Sequence, residues 1–267
     1  MWSRPVVILT VDIGNSRIKW ATWQEHRILA RGVAGYDSDA SGEVFDRLFA
    51  VLGEAPAEAP SAIYAVCVAG EAIARVLDDW VRRRWQLGVE YLQTQKQFAD
   101  ITNAYPDPEQ HGADRWAVVV AGHQAYPGHS VCVIGAGTAI TVDLVNKDGR
   151  HLGGYILPSF ASMYSALLAD TANIKPRYDQ QLDQQGIPDN TRDAVNQGLH
   201  KLLQAGIREM CQLAEDRMEA PVRVVLTGGF ASTILDYPEM PIMHHKPDLV
   251  MQGLYSIMQQ NKKNTGQ

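Results

Sequence analysis

Three glycine-bearing turns each close an apolar run: Asp12-Ile13-Gly14-Asn15, Gly135-Ala136-Gly137-Thr138 and Thr227-Gly228-Gly229. Glycine lets a backbone approach a phosphate and turn its N–H groups toward it. A nucleotide also needs a carboxylate to hold Mg2+, and Asp12 supplies one, directly or through water. Asn15, Ser16, Lys19 and Thr138 add polar partners. Any one of these turns alone is no more than a turn. Three in one chain, at strand ends and with polar partners, point to nucleotide phosphates. The pattern is neither a G-x-x-x-x-G-K-S/T loop nor a G-x-G-x-x-G that opens a helix.

A second constellation is Gly112-Ala113-Asp114-Arg115-Trp116, where a carboxylate and a guanidinium are adjacent at a helix start. Phosphoryl transfer to an alcohol needs a base for the hydroxyl proton, and Asp114 fits that role. Arg115 can grip a substrate carboxylate with two parallel hydrogen bonds. The plainer reading is an Asp favoured by the helix dipole beside an exposed Arg.

The elements that must position these residues alternate between strand and helix. Val6–Val11 and Arg17–Trp23 read as strands around the first turn, and Ser41–Leu52 as a helix. Ile63–Val68 reads as a strand, with an amphipathic helix after it through Ile73, Val76, Leu77, Trp80 and Val81. A helix runs from Gly112 to about Gln124. Pro127-Gly128 is a turn and a domain boundary, giving lobes 1–126 and 127–267. Val131–Ile134 and Ala139–Val145 flank the second turn, and Asp148-Gly149 is a hairpin turn. The first strand pair thus has a counterpart about 120 residues later, in layout more than in residue identity. Phe160–Asn173 reads as helical and Tyr178–Asp189 as a loop. Thr191–Met218 is a long amphipathic helix with Thr191 as its N-cap. Val222–Leu226 is a strand, the last helix begins near Pro247, and Asn261–Gln267 is a frayed tail. The pattern predicts α/β architecture with two related lobes and a cleft between them.

Composition excludes several classes. The net charge is −6, so a general nucleic-acid binder is not expected. The apolar run Val6–Val11 is stopped by Asp12 and is too short for a signal-peptide core. No stretch reaches the roughly 20 apolar residues of a membrane helix. Cys67, Cys132 and Cys211 are far apart, and the first two read as small core hydrophobes. The cytoplasm is therefore the expected location. Arg82-Arg83-Arg84 reads as a solvated helix face, and His244-His245 as a loop pair.

These motifs resemble those of type III pantothenate kinases and the related Bvg accessory factors. That family opens with D-x-G-N-S/T-x-x-K, which here is Asp12-Ile13-Gly14-Asn15-Ser16-Arg17-Ile18-Lys19. Its N-x-Y-x-x-P-x-x-x-G-x-D-R-W spans Asn103 to Trp116, with Tyr105, Pro108, Gly112, Asp114 and Arg115 in register. G-T-A-x-T-x-D is Gly137 to Asp143, and G-G-x-I-x-P is Gly153 to Pro158. T-G-G is Thr227-Gly228-Gly229, and P-D-L-V-x-x-G-L is Pro247 to Leu254.

The resemblance implies the fold of acetate and sugar kinases, actin and the heat-shock ATPases, with two duplicated lobes and ATP in the cleft. It implies transfer of the ATP γ-phosphoryl group to pantothenate, the first step of coenzyme A synthesis. Asp12 to Lys19 would form the first phosphate loop, joined by Thr138 and Gly228. Asp114 matches the proton acceptor, and Tyr105, Gly112, Ala113 and Arg115 match pantothenate contacts. Thr191 matches a Thr that reaches the substrate across a homodimer interface. A K+ or NH4+ ligand is implied where this chain has Gly135, and Gly135-Ala136 carry no side-chain oxygen. A carboxylate such as Asp143, or another cation, are the open alternatives. Ser159 stands where the family has Gly. His111 stands where an apolar residue is common, and reads as a surface or supporting histidine. Two other functions compete: a regulatory protein that keeps the ATPase-like fold, and a sugar or acetate kinase.

Overall fold

A computed structural model describes residues 6–36, 43–54, 59–170, 186–218 and 221–265. The chain divides into two compact units, residues 1–121 with 248–267, and residues 122–247.

In the first unit, β1 (Ile8–Ile13), β2 (Arg17–Gln24) and β3 (Arg27–Gly35) form an antiparallel meander. Helix α1 (Glu43–Glu54) leads on to β4 (Ala62–Cys67), which pairs parallel to β1. Helix α2 (Glu71–Trp85) returns the chain to β5 (Glu90–Tyr91), parallel to β4. The sheet order is β3-β2-β1-β4-β5. Every residue of β1 is buried, because the central strand is flanked on both sides. Helix α2 turns Ile73, Leu77, Trp80 and Val81 inward at the spacing the sequence predicts. Its Arg82, Arg83 and Arg84 are exposed, as a solvated face should be. A small ribbon, β6 (Gln97–Phe98) and β7 (Ile101–Thr102), leads to a 3-10 turn at Pro108–Gln110 and then to α3 (Ala113–Ala125).

The second unit repeats the plan. Strands β8 (Ser130–Ala136), β9 (Ala139–Val145) and β10 (His151–Pro158) form the antiparallel meander. Helices α4 (Phe160–Asp170) and α5 (Thr191–Arg217) precede β11 (Val222–Thr227), which is parallel to β8. Helix α6 (Ala231–Leu235) then leads to β12 (Met243–His245), parallel to β11. The order β10-β9-β8-β11-β12 matches that of the first sheet, strand for strand and direction for direction. Leu199, Leu203, Ile207, Cys211 and Ala214 of α5 join Ile134, Val142 and Leu226 in one core.

The final helix, α7 (Leu249–Thr265), belongs to the first unit. The 126/127 boundary left it in the second lobe. Helix α7 packs on β1 and β4, and Tyr255 stacks on Trp23 with ring centroids 4.6 Å apart. A Cβ on Gly253 would meet the Ala117 carbonyl oxygen at 1.9 Å, so α7 touches α3 backbone to backbone.

Several elements differ from the sequence reading. The N-cap of α5 is Asn190, whose side chain accepts from the Asp193 amide, and Thr191 is the first helical residue. His244 and His245 lie in β12, not a loop, because β11 offers a free edge. Helix α7 continues through Asn261, where the sequence suggested fraying. Cys67 is half-buried rather than core, with Sγ 3.5 Å from the Gly70 carbonyl oxygen. Residues 171–173 of the expected fourth helix, and most of the loop expected after it, lie outside the described residues.

Candidate active site

Asp12 is the penultimate residue of β1, opposite Lys19 of β2. It is 8% exposed. Burial pushes its carboxyl up to about 7; Lys19 across the strand pair pulls it down, and the Asp114 carboxylate raises it further. Asp12 and Asp114, a hundred residues apart in sequence, are therefore electrostatic neighbours within the first unit.

The hairpin after Asp12 is narrow. The Gly14 amide donates to the Arg17 carbonyl at 3.0 Å. Asn15, Ser16 and Arg17 are exposed at the tip, while the side chains of Ile13 and Ile18 are fully buried. Only the backbones of those two isoleucines can face a ligand. The Tyr36 hydroxyl at the end of the meander donates to the Gly14 carbonyl at 2.7 Å and straps the hairpin down. The sequence reading passed over Tyr36, since nothing local ties it to a residue 22 positions earlier.

Asp114 lies in the first turn of α3, where the helix dipole favours a carboxylate. Its Oδ1 accepts the Arg115 amide at 2.8 Å. A Cβ on Gly112 would meet that same oxygen at 2.9 Å, so Gly112 leaves the carboxylate its room. Ala113 is half-buried beside it. Arg115 is 6% exposed, and its Nη1 donates to the Tyr105 hydroxyl at 3.1 Å. The exposed Arg of the plainer sequence reading is thus ruled out. Tyr105 is held in turn by its own backbone. Its amide donates to Asn103 Oδ1 at 3.0 Å, and Lys96 Nζ donates to its carbonyl at 2.8 Å. Asn103 and Lys96 are supporting residues the sequence reading did not single out.

In the second unit, Gly135 takes the penultimate place of β8, opposite Thr141. A Cβ at Gly135 would meet Thr141 Oγ1 at 2.6 Å. The Gly137 amide donates to the Ala139 carbonyl at 3.0 Å, and Thr138 is exposed at the tip. Gly228 closes against this turn. Its φ is +104°, and a Cβ there would lie 2.3 Å from the Ala136 carbonyl oxygen. Only glycine permits both the dihedral and the approach. Ser159 precedes α4 and accepts the Ser162 amide on its hydroxyl at 3.2 Å, a capping role that glycine could not fill with a side chain. Thr191 is exposed at the start of α5.

A family description of type III pantothenate kinases matches residues 8–213. The chain belongs to that family. It is similar to a type III pantothenate kinase of Nitrosococcus oceani, with 32% identity over 265 residues and 96% of each chain covered. Solved structures agree on the fold. A putative Baf family transcriptional activator from Campylobacter jejuni superposes with a TM-score of 0.59 at 19% identity, covering 96% of this chain and 99% of that one. Component A of (R)-2-hydroxyglutaryl-CoA dehydratase from Acidaminococcus fermentans gives 0.56 at 13%, covering 98% and 100%. The fold is that of the acetate and sugar kinases, actin and the heat-shock ATPases, built as two α/β lobes.

Within this kinase family fold, the first unit brings together Asp12, Lys19, Tyr105, Gly112, Asp114 and Arg115. The second unit brings Thr138 and Gly228 onto adjoining turns. Thr191 is exposed in the first turn of α5. His111 is 1% exposed, so it is not a surface histidine. Among the described residues, no helix is long and apolar enough to cross a membrane.

Proposed function

We propose that this chain transfers the γ-phosphoryl group of ATP to the primary hydroxyl of pantothenate, giving 4'-phosphopantothenate. The observation that carries this reading is the grouping of Asp114, Arg115 and Tyr105 beside a buried Asp12. Asp114 accepts the hydroxyl proton as the new O–P bond forms, and the loose transition state tolerates a weak base. The Arg115 amide fixes the orientation of that carboxylate. The Arg115 guanidinium, with the Tyr105 hydroxyl, receives the pantothenate carboxylate. Gly112 and Ala113 line the approach with backbone.

Asp12 to Lys19, Thr138 and Gly228 form the nucleotide contacts. The Gly14 and Gly137 amides already donate within their own turns. Those glycines therefore serve close approach, and the tip residues Asn15, Ser16 and Thr138 supply polar contacts. Asp12 fits Mg2+, because it is a hard oxygen donor whose charged form is disfavoured by burial and by Asp114. Bound there, Mg2+ would neutralise charge on the phosphate oxygens. At the position of Gly135 a neutral Thr141 hydroxyl occupies the side-chain space, so we assign no K+ or NH4+ ligand to it.

A homodimer, in which the exposed Thr191 reaches the partner's substrate, is proposed on family membership. The cytoplasm is proposed as the compartment, on ATP as substrate and three cysteines that form no disulfide.

An ATP-consumption assay with pantothenate, acetate or glucose, with and without K+, tests the reading. Turnover is expected with pantothenate alone and in both salts. Arg115→Ala should raise the pantothenate KM at least about tenfold and leave the ATP KM unchanged. No turnover under any salt would favour the regulatory reading, and equal effects on both KM values would remove the carboxylate grip.

A further inference from the structure

We propose that His111 is a positioning residue for the acceptor substrate, holding the Tyr105 ring that presents its hydroxyl to Arg115. The inference rests on the pantothenate-kinase reading of Tyr105 and Arg115. His111 lies six residues after Tyr105 and three before Asp114, between two elements of the site. Its imidazole is parallel to the Tyr105 ring, with centroids 4.7 Å apart and an interplanar angle of 7°. The edge of Trp116 meets it from another side, at 6.0 Å and 72°.

The backbone of His111 is pinned as firmly as its ring. Its amide donates to the Pro108 carbonyl at 3.0 Å, ending the 3-10 turn. Its carbonyl accepts the Thr94 hydroxyl at 2.6 Å. The imidazole is thus a fixed plate rather than a mobile side chain. Tyr105 is tied at its backbone and at its hydroxyl, which accepts from Arg115 Nη1 at 3.1 Å, and between the two lies its half-buried ring. His111 faces it. The Arg115 guanidinium carbon lies 5.8 Å from the ring centroid of Tyr105. The series Trp116, His111, Tyr105, Arg115 therefore runs from a fully buried tryptophan to the proposed carboxylate grip. Stacking on His111 helps to fix the Tyr105 ring, and with it the hydroxyl that meets Arg115.

The role differs from packing in what it predicts. His111→Leu keeps a side chain of similar volume and removes the planar face together with the ring nitrogens. His111→Phe restores a planar face. In the purified full chain, His111→Leu should raise the pantothenate KM about fivefold. The ATP KM should stay unchanged, and kcat should stay within about twofold. His111→Phe should return the pantothenate KM to within about twofold of the parent. Arg115→Ala runs alongside as the control. If it leaves the pantothenate KM unchanged, the reading of the grip fails. If it raises that KM while His111→Leu does not, only the role of His111 fails. A His111→Phe variant as impaired as His111→Leu would likewise overturn it.

Discussion

Asp12 in the first lobe and Gly135 in the second occupy the same place. Each is the penultimate residue of the central strand, just before a glycine hairpin. The strand order around them is the same, and so is the next contact. The Val68 amide donates to the Ile13 carbonyl at 3.0 Å, and the Phe230 amide donates to the Ala136 carbonyl at 3.1 Å. The contents differ. The first lobe puts a buried carboxylate at this point, and its crossing loop is open: Gly70 has φ +94° with nothing within 4 Å of its Cβ position. The second lobe puts no charge there, and Gly228 is jammed against the hairpin. One scaffold used twice thus carries a buried carboxylate at this point in one copy and close backbone packing in the other.

The sharpest way to break this contrast is to neutralise each counterpart. Asp12→Asn should lower kcat about 1000-fold, the scale expected when a metal-holding charge is lost. Gly135→Ala should cost less than about threefold, because the Thr141 hydroxyl it meets is the tip of a side chain that can rotate. Comparable losses in the two variants would mean that the lobes are not specialised as described. Stability should divide the other way. Gly228→Ala should cost about 3 kcal/mol or more, since a Cβ cannot fit against backbone. Gly70→Ala meets only the dihedral penalty, about 1–3 kcal/mol, because φ +94° with ψ 168° is a conformation essentially confined to glycine. Urea midpoints of the two variants measure the gap.

A smaller effect separates the lobes by pH. Asp12 is raised to about 7, so between its ordinary value of 3.8 and 7 the folded form binds more protons than the unfolded. That contribution to stability is lost as pH rises through the window. In the second lobe His200 is lowered from 6.5 to about 4 by burial, with Nδ1 2.8 Å from the Tyr237 hydroxyl. There the unfolded form binds more protons, and stability is lost as pH falls from 6.5 to 4. Asp12→Asn should therefore gain on the parent as pH rises from 4 to 8. His200→Gln should flatten the acid limb. Each swing should be ~1–3 kcal/mol, read as Tm across pH.

Much of this was legible in the sequence. The three glycine turns stand at strand ends as their apolar runs imply, and the helical spacing of Ile73, Leu77, Trp80 and Val81 predicts their burial. The third strand of the first meander was not legible, and of the second only the hairpin turn that opens it, Asp148-Gly149, was. In β3 the outward face carries Leu29 and Val33, both exposed, which blurs the alternation that marks a strand. In β10, Gly153-Gly154 reads as a loop although it lies in the sheet, at a register irregularity. The return of α7 to the first lobe depends on Gly253 meeting Ala117, a tertiary contact without local signature. His111 reads as a surface or a supporting residue, and the choice between the two was not legible because its partners, Tyr105 and Thr94, lie upstream across a turn. Asp114 and Arg115 were legible as an adjacent pair at a helix start, but the neighbourhood of Asp12 and Asp114 was not, since no pattern links positions so far apart.

The most direct measurement is single-turnover phosphoryl transfer from ATP to pantothenate by Asp114→Asn beside the parent. Asparagine keeps the shape and cannot accept the proton. The rate should be at least about 100-fold lower, with ATP binding unchanged. A rate equal to that of the parent would contradict the assignment of Asp114 as the proton acceptor.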